Sequence, residues 1–227
     1  LAVCQRHRAR LLHGAGRPDD ARLVYNSAVA SFNKALSLHA EDPFSQDGLA
    51  RCHEHRGDLR LELGEDAEED YAAALAIRRM LRETPEDRYR LALLWLKVGD
   101  ADQAVKAMRE LTTSVPENPN YWTLLGAAAF RAGDVEAGIN VLEGHQPAAG
   151  DGTHQIWLSM ALWARGTEGD RQRAREVYQS AVELMEKNAP SRIEAIKLRD
   201  DAAGILGLNA SGKPDDDPAP EASSESG

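Results

Sequence analysis

One nine-residue pattern occurs twice in the chain. Residues 97–105 read KVGDADQAV and residues 131–139 read RAGDVEAGI, so a basic residue, Gly-Asp, an acidic residue and a small residue recur 34 positions later. Glycine accepts the left-handed backbone that ends a helix, and aspartate is favoured where the next helix begins. The pattern therefore predicts a repeated hairpin of two helices.

The glycine that would end the first helix of such a hairpin recurs five times, with intervals of 48, 35, 34 and 33 residues. These positions are Gly16, Gly64, Gly99, Gly133 and Gly166. A small residue precedes each glycine by seven positions, namely Ala9, Gly57, Ala92, Gly126 and Ser159. Such small residues allow two helix axes to approach closely. Five helical hairpins are therefore expected.

A second column pairs a small residue with a large one four positions later, which places both on one face of a helix. The pairs are Ala21 with Tyr25, Ala67 with Tyr71, Ala104 with Met108, Gly138 with Leu142, and Ala174 with Tyr178. The large member is expected to fill the space beside the helix crossing. Pro85 follows Thr84 and Pro119 follows Asn118, and both pairs are typical of a helix beginning.

Composition supports an all-α protein and disfavours several function classes. Hydrophobic residues make up 42% of the chain, and sustained alternation of β-branched residues is lacking. The formal charge of -10 disfavours binding to a nucleic-acid backbone, and no apolar run is long enough to predict a membrane span. With only Cys4 and Cys52 present, no disulfide framework is expected. We expect a cytoplasmic protein, and the start at Leu1 without methionine suggests a fragment.

These columns resemble the tetratricopeptide repeat (TPR) family. The signature positions of two successive repeats are matched by Arg88, Leu91, Ala92, Trp95, Gly99, Ala104, Met108, Leu111 and Pro116, and then by Trp122, Leu125, Gly126, Ala129, Gly133, Gly138 and Leu142. Arg56 departs from the pattern, since leucine is usual there. The resemblance implies a right-handed α-solenoid of about five TPR-like hairpins with a C-terminal capping helix.

The expected organisation is a repeat array over residues 1–207 and a disordered acidic tail over 208–227. The hairpins are expected at about 1–38, 47–82, 85–115, 119–144 and 153–187, and the capping helix at 191–206. Ser191 and Glu194 form a capping-box pattern at the start of that last helix. The tail is rich in proline, serine and acidic residues and is too polar to bury a core.

Two short motifs resemble a metal site and a phosphate-binding loop, but their context disfavours both functions. In CHEH (residues 52–55), His53 and His55 lie two residues apart, so on a helix they point away from each other and cannot chelate one ion. GAGRPD (residues 14–19) is glycine-rich but lies between helices, whereas phosphate-binding loops follow a strand. With no catalytic motif in the sequence, we expect no enzymatic activity, cofactor or metal.

The resemblance also implies a peptide-binding groove on the inner face of the superhelix, built from fixed positions of each first helix. The residues at those positions are Tyr89, Leu93, Leu96, Lys97, Thr123, Ala127, Phe130, Arg131, Ile156, Met160 and Trp163. Leu96, Phe130 and Trp163 occupy equivalent positions and predict an apolar stripe. Lys97 and Arg131 are also equivalent and are expected to bind an acidic group.

Three functions remain open from the sequence. The leading one is a non-catalytic scaffold that binds a peptide or protein partner in the groove. The second is a regulatory repeat tail of a larger enzyme such as a Ser/Thr kinase, because the text from Ala74 to Leu94 resembles the repeat tails of large bacterial multidomain signalling proteins. The third, an RNA-binding solenoid, is disfavoured by the acidic charge balance. The sequence indicates no oligomeric state.

Overall fold

The structure is a computed structural model that describes residues 1–81, 84–145, 150–188 and 193–208. The helices of these ranges are α1 (Ala2–Gly14), α2 (Pro18–Leu38), α3 (Pro43–Glu62), α4 (Glu68–Met80), α5 (Pro85–Lys97), α6 (Ala101–Ser114), α7 (Pro119–Arg131), α8 (Val135–Gly144), α9 (Thr153–Arg165), α10 (Glu168–Asn188) and α11 (Ile193–Leu206). The predicted all-α class is confirmed.

The helix boundaries follow local chemistry. All five repeat glycines adopt a left-handed backbone, with φ between 67° for Gly16 and 90° for Gly133. A side chain with a Cβ would be strained at such angles, which explains the choice of glycine. At the other end, Thr84 and Asp87 form a reciprocal capping box at the start of α5. Asp134 accepts a hydrogen bond from the backbone of Ala137 and caps α8.

The chain divides into two compact units, Leu1–Ala132 and Gly133–Gly227. In the first unit, α1 packs on α2, α3 on α4 and α5 on α6, and each of these pairs also contacts the next helix along the chain. The first helices of successive hairpins contact each other as well, α1 with α3 and α5 with α7. This is the stacking of antiparallel hairpins that the repeat predicts.

The small and large columns meet in the core of the first unit. Ala9 packs with Ala21 and Tyr25, and all three are fully buried. A Cβ built on Gly57 would lie 2.9 Å from Cε1 of Tyr71, so the tyrosine ring occupies the space that the missing side chain leaves. The predicted close crossing of two helices is therefore present in this hairpin.

In the second unit, α9 contacts α8, α10 and α11, and α10 also contacts α11. Ala202 and Leu206 of α11 are fully buried, and the hydroxyl of Tyr178 donates to the carbonyl of Arg199 at 3.2 Å. The helix thus covers the last hairpin, as expected of a capping helix. Ser191 of the predicted capping box and the predicted tail from residue 209 onward lie outside the described residues.

Candidate partner-binding surface

The predicted groove residues fall into two classes of exposure. Four are buried and pack inside their unit: Leu96, Ala127, Ile156 and Met160. For Ile156 and Met160 the reason is that α9 is enclosed by three neighbouring helices. These four side chains therefore pack in the core of their unit, and their assignment as ligand contacts stays a prediction. Repeat position predicts which face a residue occupies, but it does not predict whether a neighbouring helix covers that face.

The remaining predicted residues of the first unit lie on two helices that contact each other. Tyr89, Leu93 and Lys97 are on α5, and Thr123, Phe130 and Arg131 are on α7; we call these six residues the α5–α7 face. The ring of Tyr89 lies 5.3 Å from that of Tyr121, which fixes the two helices side by side.

An apolar side chain and a positively charged one are exposed on the α5–α7 face. Leu93 is 37% exposed, so part of an apolar side chain is accessible to solvent on α5. Arg131 is exposed at the end of α7, and the described residues offer it no acidic partner. The face therefore presents an apolar contact and an unneutralised guanidinium on adjacent helices.

Lys97 already has an internal partner. Its ammonium donates to both carboxylate oxygens of Asp58 on α3, at 2.8 and 2.6 Å. The same carboxylate accepts a hydrogen bond from the hydroxyl of Tyr71 at 2.7 Å. The expectation that Lys97 binds an acidic ligand therefore requires the ligand to compete with Asp58.

A second pair also links two hairpins on the same side of α3. The ring Nε2 of His13 on α1 lies 2.6 Å from the Glu62 carboxylate of α3. Of the four residues in these two pairs, only Lys97 belongs to the predicted groove residues, and the sequence predicted neither ion pair. Helical register gives the direction of a side chain but not the neighbour it reaches.

Arg56, at a position where leucine is usual in the repeat, has a structural role inside the first unit. Its guanidinium binds Asp70 of α4, with Nη2 2.6 Å from Oδ1, and its Nη1 donates to Asn26 of α2 at 2.7 Å. His53 Nδ1 also donates to the Asp70 carboxylate at 2.8 Å. Burial opposes the ionisation of Asp70, but the hydrogen bonds from His53 and Arg56 outweigh it and lower the pKa of Asp70 to about 2.

A second arginine of the same hairpin, Arg78, is fully buried. Arg78 of α4 donates to Asp47 at 2.6 Å and to Glu54 at 2.7 Å, and both acids lie on α3. Two carboxylates around one guanidinium compensate its burial, as a buried charge requires. Arg78, Asp47 and Glu54 therefore hold α3 and α4 together within one hairpin.

The CHEH motif does not form a metal ligand set in the described part of the chain. His53 is bound to Asp70, while Nδ1 of His55 is buried without a hydrogen-bond partner. Across the described ranges, no group of three or more His, Cys, Asp or Glu side chains is arranged to hold a metal ion. None of the helices in those ranges combines the length and apolar character of a membrane span.

Trp163 of the second unit is flanked by two arginines of α10. The guanidinium carbon of Arg171 lies 5.6 Å from the indole centroid, and that of Arg175 lies 5.3 Å from it. Both distances are within the range of cation–π attraction. We call these three residues the Arg171–Trp163–Arg175 cluster. Trp163, predicted as an apolar anchor, thus presents two cations at the surface, and nothing in the repeat pattern signalled them.

Comparison with known proteins identifies a known repeat in part of the chain. Residues 89–153 match the family model described as tetratricopeptide repeat. No curated protein sequence matches the chain. The resemblance to repeat tails of multidomain signalling proteins is not confirmed by these comparisons and stays a hypothesis.

Many solved structures are similar in fold, and two of them serve as examples. A thermophilic TPR protein of Thermus thermophilus is 17% identical, with 92% of this chain and 100% of that chain covered and a TM-score of 0.58. A Podosopora anserina structure of nearly identical TPR-like repeats is 20% identical, with 82% and 95% covered and a TM-score of 0.52. At these identities the similarity concerns the fold alone. The chain therefore has the helical-repeat fold of TPR proteins, and residues 89–153 carry the sequence pattern of that repeat.

Proposed function

We propose that the chain is a non-catalytic scaffold that binds a peptide or an extended segment of a partner protein on the α5–α7 face. The TPR fold suggests a protein-interaction scaffold, because stacked hairpins present long surfaces built from equivalent positions. Fold alone does not assign a function, so the proposal depends on the residues of the face itself.

One observation carries the proposal: α5 and α7 are in contact through Tyr89 and Tyr121, yet Leu93 and Arg131 remain exposed on them. Phe130, one residue before Arg131, is half-buried and presents part of an aromatic ring. Aromatic and arginine side chains carry a large share of binding energy at protein interfaces. An apolar peptide side chain next to an acidic one complements this arrangement.

Selection from a phage-displayed peptide library tests the proposal and does not require the partner to be identified first. Selected peptides are synthesised, and their dissociation constants are measured by isothermal titration calorimetry. We expect the triple variant Leu93→Ala, Phe130→Ala, Arg131→Glu to bind them at least about tenfold more weakly than the wild type. The two alanine substitutions remove apolar contact area, and Arg131→Glu reverses a charge. Each of these changes should weaken binding of an acidic, partly apolar peptide.

The control is a triple variant with the same kinds of change elsewhere in the first unit: Leu23→Ala, Met80→Ala and Arg109→Glu. All three residues are exposed, Leu23 at 67% and Met80 at 66%. We expect this variant to retain wild-type affinity. If the selected peptides bind both triple variants equally well, with circular dichroism unchanged, or if no peptide is selected, the proposed site is refuted.

A further inference from the structure

The arginines that the structure describes in the second unit fall into two groups by their partners. Arg165 binds Asp170 at 2.6 Å, Arg173 binds Glu143 at 2.6 Å, and Arg199 binds Asp200 at 2.6 Å. Arg171 and Arg175 are exposed and have no acidic partner within the part of the chain that the structure describes. Both instead pack against the indole of Trp163.

This arrangement concentrates positive charge that local acids do not neutralise. Arg171 and Arg175 lie four residues apart, one helical turn, where like charges repel. Glu176 lies next to Arg175 in sequence, but its carboxylate accepts a hydrogen bond from Gln172 at 3.0 Å. Two guanidinium groups are therefore held together by one indole against their mutual repulsion.

Holding the guanidinium groups on an indole also prepares them to bind. Long arginine side chains lose conformational entropy when they order around a ligand. Packing on Trp163 restricts both side chains before any ligand arrives, while both residues stay exposed to solvent. A guanidinium donates to a carboxylate through two parallel hydrogen bonds, so an acidic side chain is the matching ligand.

The size of the charged patch distinguishes a protein ligand from a nucleic acid. A nucleic-acid backbone carries a charge at every nucleotide and needs an extended basic surface. Here the two arginines are bordered on α10 by acids, including Asp170 and Glu176. The cluster therefore fits one or two acidic side chains, not a continuous polyanion.

We propose that the Arg171–Trp163–Arg175 cluster is a subsite for glutamate or aspartate side chains of a partner protein. The proposal rests on the scaffold function proposed above, but it concerns the other unit and shares no residue with the α5–α7 face. It also changes the role expected of Trp163, from an apolar anchor to a platform that positions two arginines.

The test uses 5-fluorotryptophan-labelled protein and fluorine NMR, which gives a separate signal for each of the four tryptophans. The Trp163 signal is assigned with the variant Trp163→Phe. Acetylated hexaglutamate is titrated at constant ionic strength, and acetylated hexaglutamine serves as the uncharged probe. We expect hexaglutamate to shift the Trp163 signal saturably and hexaglutamine to leave it in place.

Two double variants separate the subsite from bulk charge. Arg171→Gln with Arg175→Gln should weaken hexaglutamate binding about tenfold or more, since both charge-assisted contacts are lost. Arg8→Gln with Arg109→Gln removes the same charge at two exposed arginines of the first unit and should change the affinity less than about twofold. Circular dichroism checks that each variant is folded.

Each result decides the proposal. Equal hexaglutamate binding by the two double variants overturns it, as does a Trp163 signal that ignores the peptide. A larger, tighter response to a ten-nucleotide oligothymidylate than to hexaglutamate also overturns it, because the ligand would then be a nucleic acid. The triple variant of the α5–α7 face should keep the Trp163 response, so failure of one site leaves the other unaffected.

Discussion

Arg56 on α3 and Asp70 on α4 form an ion pair whose carboxylate is almost completely buried. The Asp70 side chain is 1% exposed, and Nη2 of Arg56 lies 2.6 Å from its Oδ1. Arg56 stands where the repeat family usually has leucine, so this hairpin replaces an apolar contact by a charged one. The hydrogen bonds from Arg56 and His53 favour the ionised state of Asp70, and Asp70 in turn neutralises the guanidinium of Arg56.

We expect Asp70→Asn to lower the free energy of unfolding by about 2 to 3 kcal/mol, because the partly buried guanidinium of Arg56 loses its anionic partner. Urea denaturation followed by circular dichroism measures the change. The control is Asp102→Asn, the same substitution in the first turn of α6, where the side chain is exposed. That control should cost less than about 0.5 kcal/mol. Equal losses for the two variants would show that the buried pair is not important for stability.

Stability should also fall with acidification through His55. Burial lowers the pKa of His55 to about 3, from the ordinary value of 6.5, while Asp58 acts in the opposite direction. Below pH 6.5 the unfolded chain takes up a proton that the folded protein resists, so unfolding becomes more favourable until about pH 3. Asp70, with its pKa lowered to about 2, acts only in a more acidic window, from about pH 4 downward.

Urea melts at pH 7 and pH 5 test this dependence. We expect His55→Gln to lose less stability between the two pH values than the wild type, since glutamine does not titrate. His39→Gln, the same change at an exposed histidine, controls for the general loss of one histidine. If the wild type and His55→Gln lose the same amount, His55 is not a source of the acid sensitivity.

The sequence predicted the backbone architecture well because its signals are local. Gly99 and Gly133 follow their helices with a positive φ, and Thr84 with Asp87 caps the start of α5, all within a few residues of chain. The ion pair between Lys97 and Asp58 joins residues 39 positions apart and depends on how two hairpins stack. The cations over Trp163 come from the next helix, whose relative rotation no repeat column specifies.

The crossing of α3 and α4 should tolerate no added methyl group. A Cβ at Gly57 would lie 2.9 Å from Cε1 of Tyr71, so Gly57→Ala forces the ring to move. We expect a loss of about 1 to 3 kcal/mol by urea denaturation, despite the higher helix propensity of alanine. The matched control, Gly204→Ala in α11, meets no atom within 4 Å and should be neutral or stabilising.

A double-mutant cycle identifies the cause of that loss. In a Tyr71→Leu background the smaller side chain leaves room beside position 57, so Gly57→Ala should cost markedly less than in the wild type. An undiminished cost in that background would mean that the added methyl group meets something other than the tyrosine ring.

The last prediction concerns whether Lys97 can take part in recognition. Asp58 neutralises Lys97 through two short contacts, although the lysine side chain remains 36% exposed. Asp58→Asn removes that charge, keeps an oxygen that can accept from Tyr71, and should cost no more than about 1 kcal/mol because the pair is partly solvated. It should also leave Lys97 available beside Arg131, as the equivalent repeat positions of the two cations first suggested.

We therefore expect Asp58→Asn to tighten binding of labelled hexaglutamate by about three- to fivefold, measured by fluorescence anisotropy. The measurement is made in the Arg171→Gln, Arg175→Gln background, so that the proposed subsite of the second unit does not contribute. Adding Lys97→Gln should abolish the gain. A gain that persists without Lys97 would reflect only the reduced negative charge of the chain, and an unchanged affinity would restrict Lys97 to linking α5 with α3.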